Sequence, residues 1–294
     1  MSGEGNKVNR LDMKRWICAV ALWLAGVGLI WAGNAEDSFK EKKLDDLSST
    51  EMSDWGALAL GIQRSKWKHG ETEHFTIHFF RNGEKIARRS EVFYTEIKEF
   101  FGNRPDLLAG RKSQVFAFND ANDWKQFAGK IKKEWASGVT RGDEFFYISA
   151  SEEGRYDSKG KIQAHEMTHL IFNRFYRGHP PLWLNEGLAE YFGQRKTSTL
   201  TQFRQQMSLA APYQLNWLFH AEQYPEQLKQ VYMFYAEAAI VVDFLTRNSE
   251  RVAKLPKFVD AMISTNDVAA ALQIYGYKDY AEFESAYKNY RRHF

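Results

Sequence analysis

The chain has 294 residues, of which 44% are hydrophobic and 15% aromatic, so it is long enough to bury one full core or two small ones. Its formal net charge of +3 falls to +1 without residues 1–35, which hold four basic and two acidic residues. A nearly neutral body without a basic run gives no case for nucleic-acid binding, and the ordinary glycine and proline content argues against a large disordered or repetitive part.

The N-terminal segment has the pattern of an export signal. Arg10, Lys14 and Arg15 form a positive flank before residues 16–33, a run of eighteen residues without a charge, and small residues then fit cleavage after Ala35. We predict a signal peptide over residues 1–35; the alternative is an uncleaved anchor at residues 16–33, since eighteen apolar residues are at the lower limit of a membrane span. Either way the body is expected outside the cytoplasm, periplasmic or secreted, and meets the membrane only through this segment. The one cysteine, Cys18, lies inside it, so the body is expected to have no disulfide and no thiol ligand.

Residues 36–72 are charged and contain several serines, and we interpret them as a spacer that could include one short helix. The folded domain is predicted to cover residues 73–294 and to begin with an alternating strand at residues 75–80. His78 in this strand is interpreted as a residue of the strand face and not as a metal ligand. Apolar residues at helical spacing over residues 86–100, followed by Gly102, then predict a helix and its end.

Further strands are expected before residue 160. Residues 114–118 are predicted to form a second strand, and Asp120 is a natural N-cap for a short helix. Residues 137–140 and 145–149 predict a hairpin around a turn at residues 141–143. The predicted fold class is therefore α+β. A small twisted sheet at residues 73–160 is followed by a mainly helical half at residues 161–294, and a helix starting near Lys161 lies between them.

Two histidines four residues apart open the helical half, in the sequence His165-Glu166-Met167-Thr168-His169. Residues i and i+4 lie on the same face of a helix, so both imidazoles can reach one metal ion, with Glu166 beside them. The flanking residues are apolar, which predicts a buried helix in which these polar groups require a partner.

A second motif, Asn185-Glu186-Gly187-Leu188-Ala189-Glu190, follows the chain-breaking prolines 180 and 181. A catalytic zinc has three protein ligands and keeps one position for water. Glu186 is placed to supply the third ligand. Two imidazoles and a carboxylate suit zinc without excluding other divalent ions.

The two motifs resemble those of the gluzincin class of metallopeptidases, in which HExxH is followed by a glutamate ligand on the next helix. Residues 183–192, WLNEGLAEYF, are similar to the second motif of the bacterial peptidase-MA-like domain. The resemblance covers roughly residues 73–290, and its sharp parts are the two motifs and one tyrosine-bearing helix. The sixteen residues between His169 and Glu186 make a shorter connection than in thermolysin-like or aminopeptidase N-like enzymes. The aminopeptidase signature Gly-Ala-Met-Glu-Asn is absent.

The resemblance implies a zincin-like fold with one Zn²⁺ held by His165, His169 and Glu186. Glu166 is expected to act as the general base on the metal-bound water and to pass the proton to the leaving amine. Glu190, one turn beyond Glu186, matches the place of a carboxylate that orients a metal-bound histidine; the alternative is a surface glutamate.

Three other positions are considered for supporting roles near the site. Asn185 is assigned a supporting place near the site, through packing or backbone bonding. Tyr235, in the apolar segment 232–245, matches the tyrosine of the family's helix behind the site and is the candidate donor to the oxyanion. Tyr232, one turn away, is the other candidate donor. The alternative for Tyr235 is that it is only an aromatic residue of the core.

Zincin folds pair a sheet edge with extended substrate, so the resemblance implies that residues 137–140 or 144–149 line the substrate. An ordinary sheet edge remains the alternative. His179 and His220 are expected on loops or at the surface. Helical periodicity at residues 202–207, 256–263 and 280–290, and at residues 268–275 before Gly276, predicts helices that complete the helical half.

The sequence thus predicts an exported zinc metallopeptidase that acts on a peptide or protein substrate. Two alternatives stay open at this point: a zinc-dependent hydrolase of a non-peptide amide, and a non-catalytic binding or scaffold protein that keeps the fold. The presence of Glu166 with all three candidate ligands favours an enzyme. The pattern carries no information on cleavage preference or on oligomeric state.

Overall fold

The computed structural model describes residues 39–149, 160–197, 205 and 212–293. In these residues the fold is α+β, as predicted, with one mixed six-stranded sheet and a helical half. The strands are β1 (Lys40–Lys42), β2 (Lys68–Glu71), β3 (Phe75–Phe79), β4 (Ser113–Phe118), β5 (Gly138–Arg141) and β6 (Glu144–Ile148). The α-helices are α1 (Asp54–Gly61), α2 (Gly83–Phe100), α3 (Ala121–Lys130), α4 (Lys161–Phe175), α5 (Leu182–Thr197), α6 (Leu215–Phe219), α7 (Leu228–Leu245), α8 (Ser249–Thr265), α9 (Val268–Leu272) and α10 (Tyr280–Arg292). Short 3-10 turns occupy Leu44–Asp46, Arg64–Lys66 and Gln273–Tyr275.

The strand order is β1-β2-β3-β4-β6-β5. The central strands β3, β4 and β6 are parallel, and the outer strands pair antiparallel to their neighbours. Parallel neighbours need crossover connections, and α2 supplies the one from β3 to β4. The predicted hairpin is confirmed: β5 and β6 pair in the register Thr140↔Phe145, across a turn in which Gly142 has a φ of 61°. This positive φ is the left-handed region that glycine occupies without steric cost.

The charged stretch at residues 36–72 contributes two strands and a helix to the fold, which corrects its interpretation as a spacer. Strand β1 pairs with β2, and β2 pairs with β3, so the sheet begins at Lys40 and not at Phe75. This charged stretch can join the sheet because its charges are paired. The buried carboxylate of Glu71 accepts hydrogen bonds from Lys42 Nζ at 2.6 Å and from Lys112 Nζ at 3.2 Å. The expected short helix is α1, which is capped by the Ser53 side chain.

Both faces of the sheet are covered, which explains why its central strands β3, β4 and β6 are buried at every position. Successive side chains of a strand point to opposite faces, so Val115 of β4 packs toward the helical half while Phe116 packs toward α1 and α3. In β6, Phe145 likewise packs toward the helical half and Phe146 toward α1 and α3. The larger of the two cores lies between the sheet and helices α2, α4, α5 and α7.

Helix α4 begins at Lys161, as predicted, and it connects the two halves of the fold. On one side Gln163 donates hydrogen bonds to the Ile86 carbonyl and to Ser90 Oγ of α2, both at 2.8 Å. On the other side Asn173 Nδ2 donates to the carbonyl of Gly142 in the hairpin turn at 2.7 Å. These contacts fix α4 against the end of the sheet where β5 lies.

Helices α5 and α7 cross at very short range. A Cβ atom added to Gly187 would lie 2.7 Å from the carbonyl oxygen of Ala238, closer than real Cβ contacts allow. Gly187 therefore serves close helix packing, and this packing brings its neighbour Glu186 toward α4.

The helices predicted near the C-terminus are present as α8, α9 and α10, and Gly276 ends the segment after α9 with a φ of 87°. The helix predicted at residues 202–207 lies outside the described residues except for position 205, and so do residues 1–35. Within the described part of the chain, the helices are all too short or too polar to cross a membrane.

Candidate metal centre

His165 and His169 lie on the same face of α4, and their Nε2 atoms are 3.2 Å apart. The i, i+4 spacing produces this arrangement, as the sequence predicted, because one helical turn separates the two side chains. Residues on the opposite face, including Leu170 and Ile171, are fully buried in the core. The apolar face of the helix therefore packs against the core, and the two imidazoles on its other face point toward α5.

Glu186 of α5 completes a three-residue group with these histidines. Its Oε2 atom lies 3.4 Å from His165 Nε2 and 3.6 Å from His169 Nε2. Tetrahedral zinc with bonds of about 2.0–2.1 Å would separate its ligand atoms by roughly 3.3 Å. The three donor atoms are therefore spaced as such an ion requires. In the described ranges this is the group of His, Cys, Asp or Glu side chains whose atoms converge closely enough to bind a metal.

The carboxylate of Glu186 supports the same interpretation. Only 3% of the residue is exposed, and Oε2 has no hydrogen-bond partner among the described residues. Burying an ionised oxygen without a partner is costly, so a cation at the centre of the three atoms would satisfy it. The donor set of two imidazoles and one carboxylate suits a zinc ion.

The outer nitrogen of each imidazole faces an oxygen atom. Glu190 Oε1 lies 3.3 Å from His165 Nδ1, and Asn185 Oδ1 lies 3.1 Å from His169 Nδ1. An acceptor on Nδ1 fixes the tautomer and leaves Nε2 free to bind a metal. Asn185 thus contacts an imidazole directly, a more specific arrangement than the packing or backbone role expected for it. Glu190 is 85% buried at its side chain, so the alternative of a surface glutamate does not apply.

The charged groups shift each other's protonation. Burial alone would lower the pKa of His165, but the carboxylates of Glu186 and Glu190, 3.4 Å and 3.3 Å from its two ring nitrogens, raise it to about 10. Burial would raise the pKa of Glu190, but Lys161 and His165 lower it to about 2. For Glu186 burial acts in the same direction, and His169 and His165 more than offset it and lower its pKa. Both carboxylates are consequently ionised at neutral pH, as a cation site requires.

Glu166 lies at the junction of α4 and the edge strand β5. Thr140 Oγ1 donates a hydrogen bond to Glu166 Oε2 at 2.7 Å. At Gly138 an added Cβ would lie 2.5 Å from Glu166 Oε1, so only glycine leaves space for this carboxylate. Burial raises the pKa of Glu166, and the imidazoles of His165 and His169 act against that effect. The roles of Thr140 and Gly138 toward Glu166 were not predicted, because neither residue type marks such a contact in the sequence.

Of the two strands proposed to line a substrate, only one has a free edge. Strand β5 ends the sheet formed by the described residues, whereas β6 pairs with β4 on one side and β5 on the other. Residues 144–149 therefore cannot add a further strand, and this part of the expectation is wrong. The stretch at residues 137–140, most of which forms β5, remains available.

Two tyrosines lie beside the cluster. The ring of Tyr235 is 6.2 Å from that of His165, whereas Tyr232 is 65% exposed, so the structure places Tyr235 and not its rival against the group. The second is Tyr224, whose hydroxyl donates to Glu186 Oε1 at 2.5 Å. Sequence reasoning missed Tyr224, because it lies in the loop before α7 without a motif around it.

The other histidines lie away from this group. His179 and His220 are exposed, as expected. His78 is fully buried in β3, where its ring nitrogens contact His69 and Gln114. It is a residue of the strand face, in agreement with the prediction.

Comparison with known proteins adds no relative to this description: no protein-family model matches the chain, and no curated protein matches it. The resemblance to gluzincins therefore rests on the two motifs at residues 165–169 and 183–192. The convergence of their side chains is the structural observation that any functional interpretation must explain.

Proposed function

We propose that this chain is a zinc-dependent metallopeptidase of the gluzincin type with a zincin-like, peptidase-MA-like fold, exported by its N-terminal segment. The observation that carries the proposal is the convergence of His165 Nε2, His169 Nε2 and Glu186 Oε2 within 3.6 Å of one another. The buried Oε2 atom, which has no hydrogen-bond partner in the described part of the chain, adds to it.

When bound to these three residues, zinc would supply a Lewis acid that polarises the scissile carbonyl and lowers the pKa of its water. Glu166 would act as the general base, which accepts a proton from the attacking water and returns it to the leaving amine. The hydrogen bond from Thr140 holds the Glu166 carboxylate on the side of the cluster that faces β5. Gly138 keeps this space open.

A peptide substrate is favoured by the position of the free sheet edge. Extended backbone can add to β5 through main-chain hydrogen bonds, and β5 is the strand that contacts Glu166. Substrate backbone on this edge lies beside the general base. Tyr235, next to His165, is the candidate donor for the oxyanion of the tetrahedral intermediate.

The scaffold alternative is disfavoured because each residue that the hydrolytic reaction requires is present and assembled. Three candidate ligands converge, and Glu166 is buried and oriented by a hydrogen bond. A protein that only retained the fold would have no use for a buried, oriented carboxylate beside a metal group, since burying such groups is costly.

The test begins with metal content, measured by mass spectrometry on purified wild-type protein, His169→Ala and Glu166→Gln. We expect about one zinc per chain in the wild type, loss with His169→Ala and retention with Glu166→Gln. Cleavage of a peptide library should fall by about 10²- to 10⁴-fold in Glu166→Gln, as expected for loss of a general base. Glu250→Gln is the matched control, because Glu250 is exposed and forms an ion pair with Lys254 on the same helix.

Two results would contradict the proposal. If folded protein bound no metal after zinc was supplied, the proposed metal centre would be refuted and the scaffold hypothesis would take its place. Zinc-loaded protein that leaves the library intact but hydrolyses a non-peptide amide, with Glu166→Gln inactive, would establish the second alternative.

A further inference from the structure

The two oxygen atoms of Glu186 have different surroundings. Oε2 faces the imidazoles of His165 and His169, whereas Oε1 accepts a hydrogen bond of 2.5 Å from the hydroxyl of Tyr224. A carboxylate can bind a metal ion through one oxygen or through both. The hydrogen bond to Tyr224 uses one of these oxygens and leaves the other for the cluster.

This hydrogen bond is of a strong kind. The hydroxyl oxygen of Tyr224 and Oε1 of Glu186 are only 2.5 Å apart, and only 3% of Glu186 is exposed. Hydrogen bonds from a neutral hydroxyl to an ionised carboxylate are short and roughly twice as strong as those between neutral groups. Displacing Tyr224 from Oε1 would therefore cost more than breaking an ordinary contact.

Aromatic packing holds the ring of Tyr224. It stacks on Tyr235 of α7 with 6.0 Å between ring centroids and an angle of 12° between planes. It also packs against Trp135 in a T-shaped arrangement with 5.5 Å between ring centroids, and Lys133 Nζ lies 5.8 Å from the centroid of each of these two rings. Trp135 and Lys133 come from the connection between α3 and β5, so the two halves of the fold meet at this tyrosine. A hydroxyl held in this way has little freedom to leave Oε1.

We infer that Tyr224 is a positioning residue that holds Glu186 as a metal ligand through a single oxygen, Oε2. This inference rests on the proposed metal centre and adds to it a residue outside both sequence motifs. Tyr224 acts through Glu186, and it limits the number of protein atoms that bind the metal to three. The remaining position is thereby kept open for water.

Tyr224→Phe tests the inference, because it removes only the hydroxyl and keeps the ring that packs on Tyr235 and Trp135. The matched control is Tyr232→Phe, at a position that is 65% exposed. Both variants are expressed from the full sequence, and the affinity for zinc is measured by competition with a chelator. We expect zinc binding to weaken by roughly 10- to 100-fold in Tyr224→Phe, as for other partners of metal ligands, and to stay unchanged in the control.

Cobalt substitution adds a readout that a purely structural role would not change. The visible absorption bands of four-coordinate Co²⁺ lose intensity when a further ligand atom binds. In Tyr224→Phe the Oε1 atom is released and can join the ion, so we expect weaker bands than in the wild type and in Tyr232→Phe. Wild-type zinc affinity together with a wild-type cobalt spectrum in Tyr224→Phe would overturn the inference.

The outcomes separate this inference from the proposed function. A wild-type protein that binds no zinc overturns the metal centre and the inference together, whereas zinc affinity and a cobalt spectrum that are both insensitive to Tyr224→Phe overturn the inference alone. Trp135→Ala supplies a second test, at a position that is 43% exposed. Loss of its ring loosens Tyr224, so we expect zinc binding to weaken there too, though less than in Tyr224→Phe; unchanged affinity in both variants would contradict the inference.

Discussion

Two pairs of contacting histidines lie inside this protein, and they have opposite surroundings. His69 and His78 face each other across strands β2 and β3, with 2.8 Å between their Nδ1 atoms, and His78 Nε2 lies 3.0 Å from the Gln114 side-chain oxygen. His165 and His169 are as close in helix α4, where their Nε2 atoms are 3.2 Å apart. The imidazoles of the first pair, the sheet pair, contact each other and the side-chain amide of Gln114. Those of the second pair, the helical pair, face carboxylates.

This difference in neighbours shifts the pKa values of the imidazoles in opposite directions. Burial lowers the pKa of His78 to about 3, and the hydrogen bond to Gln114 opposes this only in part, so His78 stays neutral in the folded protein. Burial acts on His165 in the same direction, but Glu186 and Glu190 outweigh it and raise the pKa to about 10. In this protein the carboxylates beside His165, which have no counterpart at His78, make the difference between the two pairs.

The largest expected effect separates the two pairs by metal binding. His169→Ala removes one of three proposed ligands, so we expect zinc content to fall from about one per chain to near zero. His69→Ala removes one member of the other pair, and zinc content should stay at the wild-type level. Elemental analysis of both proteins after dialysis gives the answer. Equal loss of zinc in the two variants would mean that His169→Ala acts through general destabilisation, and the comparison between the pairs would fail.

A second prediction concerns the aromatic neighbours of the pairs. His78 stacks on Phe116 at 4.5 Å, a ring without a hydroxyl, whereas His165 lies 6.2 Å from Tyr235. If the Tyr235 hydroxyl stabilises the oxyanion, Tyr235→Phe should lower kcat by about 10²- to 10³-fold and leave zinc content unchanged. Tyr232→Phe, on the same helix but exposed, is the control and should retain full activity. Wild-type kcat in Tyr235→Phe would leave this tyrosine as a core aromatic.

Local patterns in the sequence predicted much of the fold and of the cluster. The periodicity of residues 86–100 and 114–118 gave α2 and β4, and the start of α4 was predicted at Lys161. The shared face of His165 and His169 follows from their spacing alone, because both lie on one helix. Such features depend on residues close together in the chain, which is why a single sequence carries them.

Contacts between distant residues were not predictable in this way. Strand β1 has no apolar pattern, and its place in the sheet depends on pairing between Lys42 and Glu71, 29 residues apart. Tyr224 reaches Glu186 across 38 residues, and Thr140 reaches Glu166 across 26. None of these side chains is unusual in its own segment. Their partners become known only when the tertiary structure brings the segments together.

A third prediction tests the space beside Glu166. The sheet pair, His69 and His78, has no such carboxylate next to it in the described residues. Gly138→Ala would place a methyl group within about 2.5 Å of Glu166 Oε1 and displace the carboxylate. We expect kcat to fall by up to about 100-fold, the cost of a misplaced catalytic group, while zinc binding persists. Gly61→Ala is the control, because nothing lies within 4 Å of a Cβ at that position. Equal activity in the two variants would show that Glu166 tolerates the displacement.

The smallest expected effect is on stability, and it belongs to the sheet pair. Because the pKa of His78 is about 3 in the folded chain and about 6.5 when unfolded, the unfolded state binds the extra proton between these pH values. The stabilisation from a neutral His78 is therefore fully present above pH 6.5 and decreases as the pH falls toward 3, by about 1 kcal/mol per pH unit.

Chemical denaturation of wild-type protein and His78→Gln at pH 7 and pH 5 measures this decrease, since glutamine does not titrate. The variant has the same metal centre as the wild type, so titration of His165, whose pKa is raised and whose contribution has the opposite sign, cancels in the difference between the two proteins. We expect the free-energy advantage of the wild type to be smaller at pH 5 than at pH 7. An advantage that is equal at both pH values, or larger at pH 5, would mean that His78 accepts a proton in the folded state, and the sheet pair would then resemble the helical pair in charge.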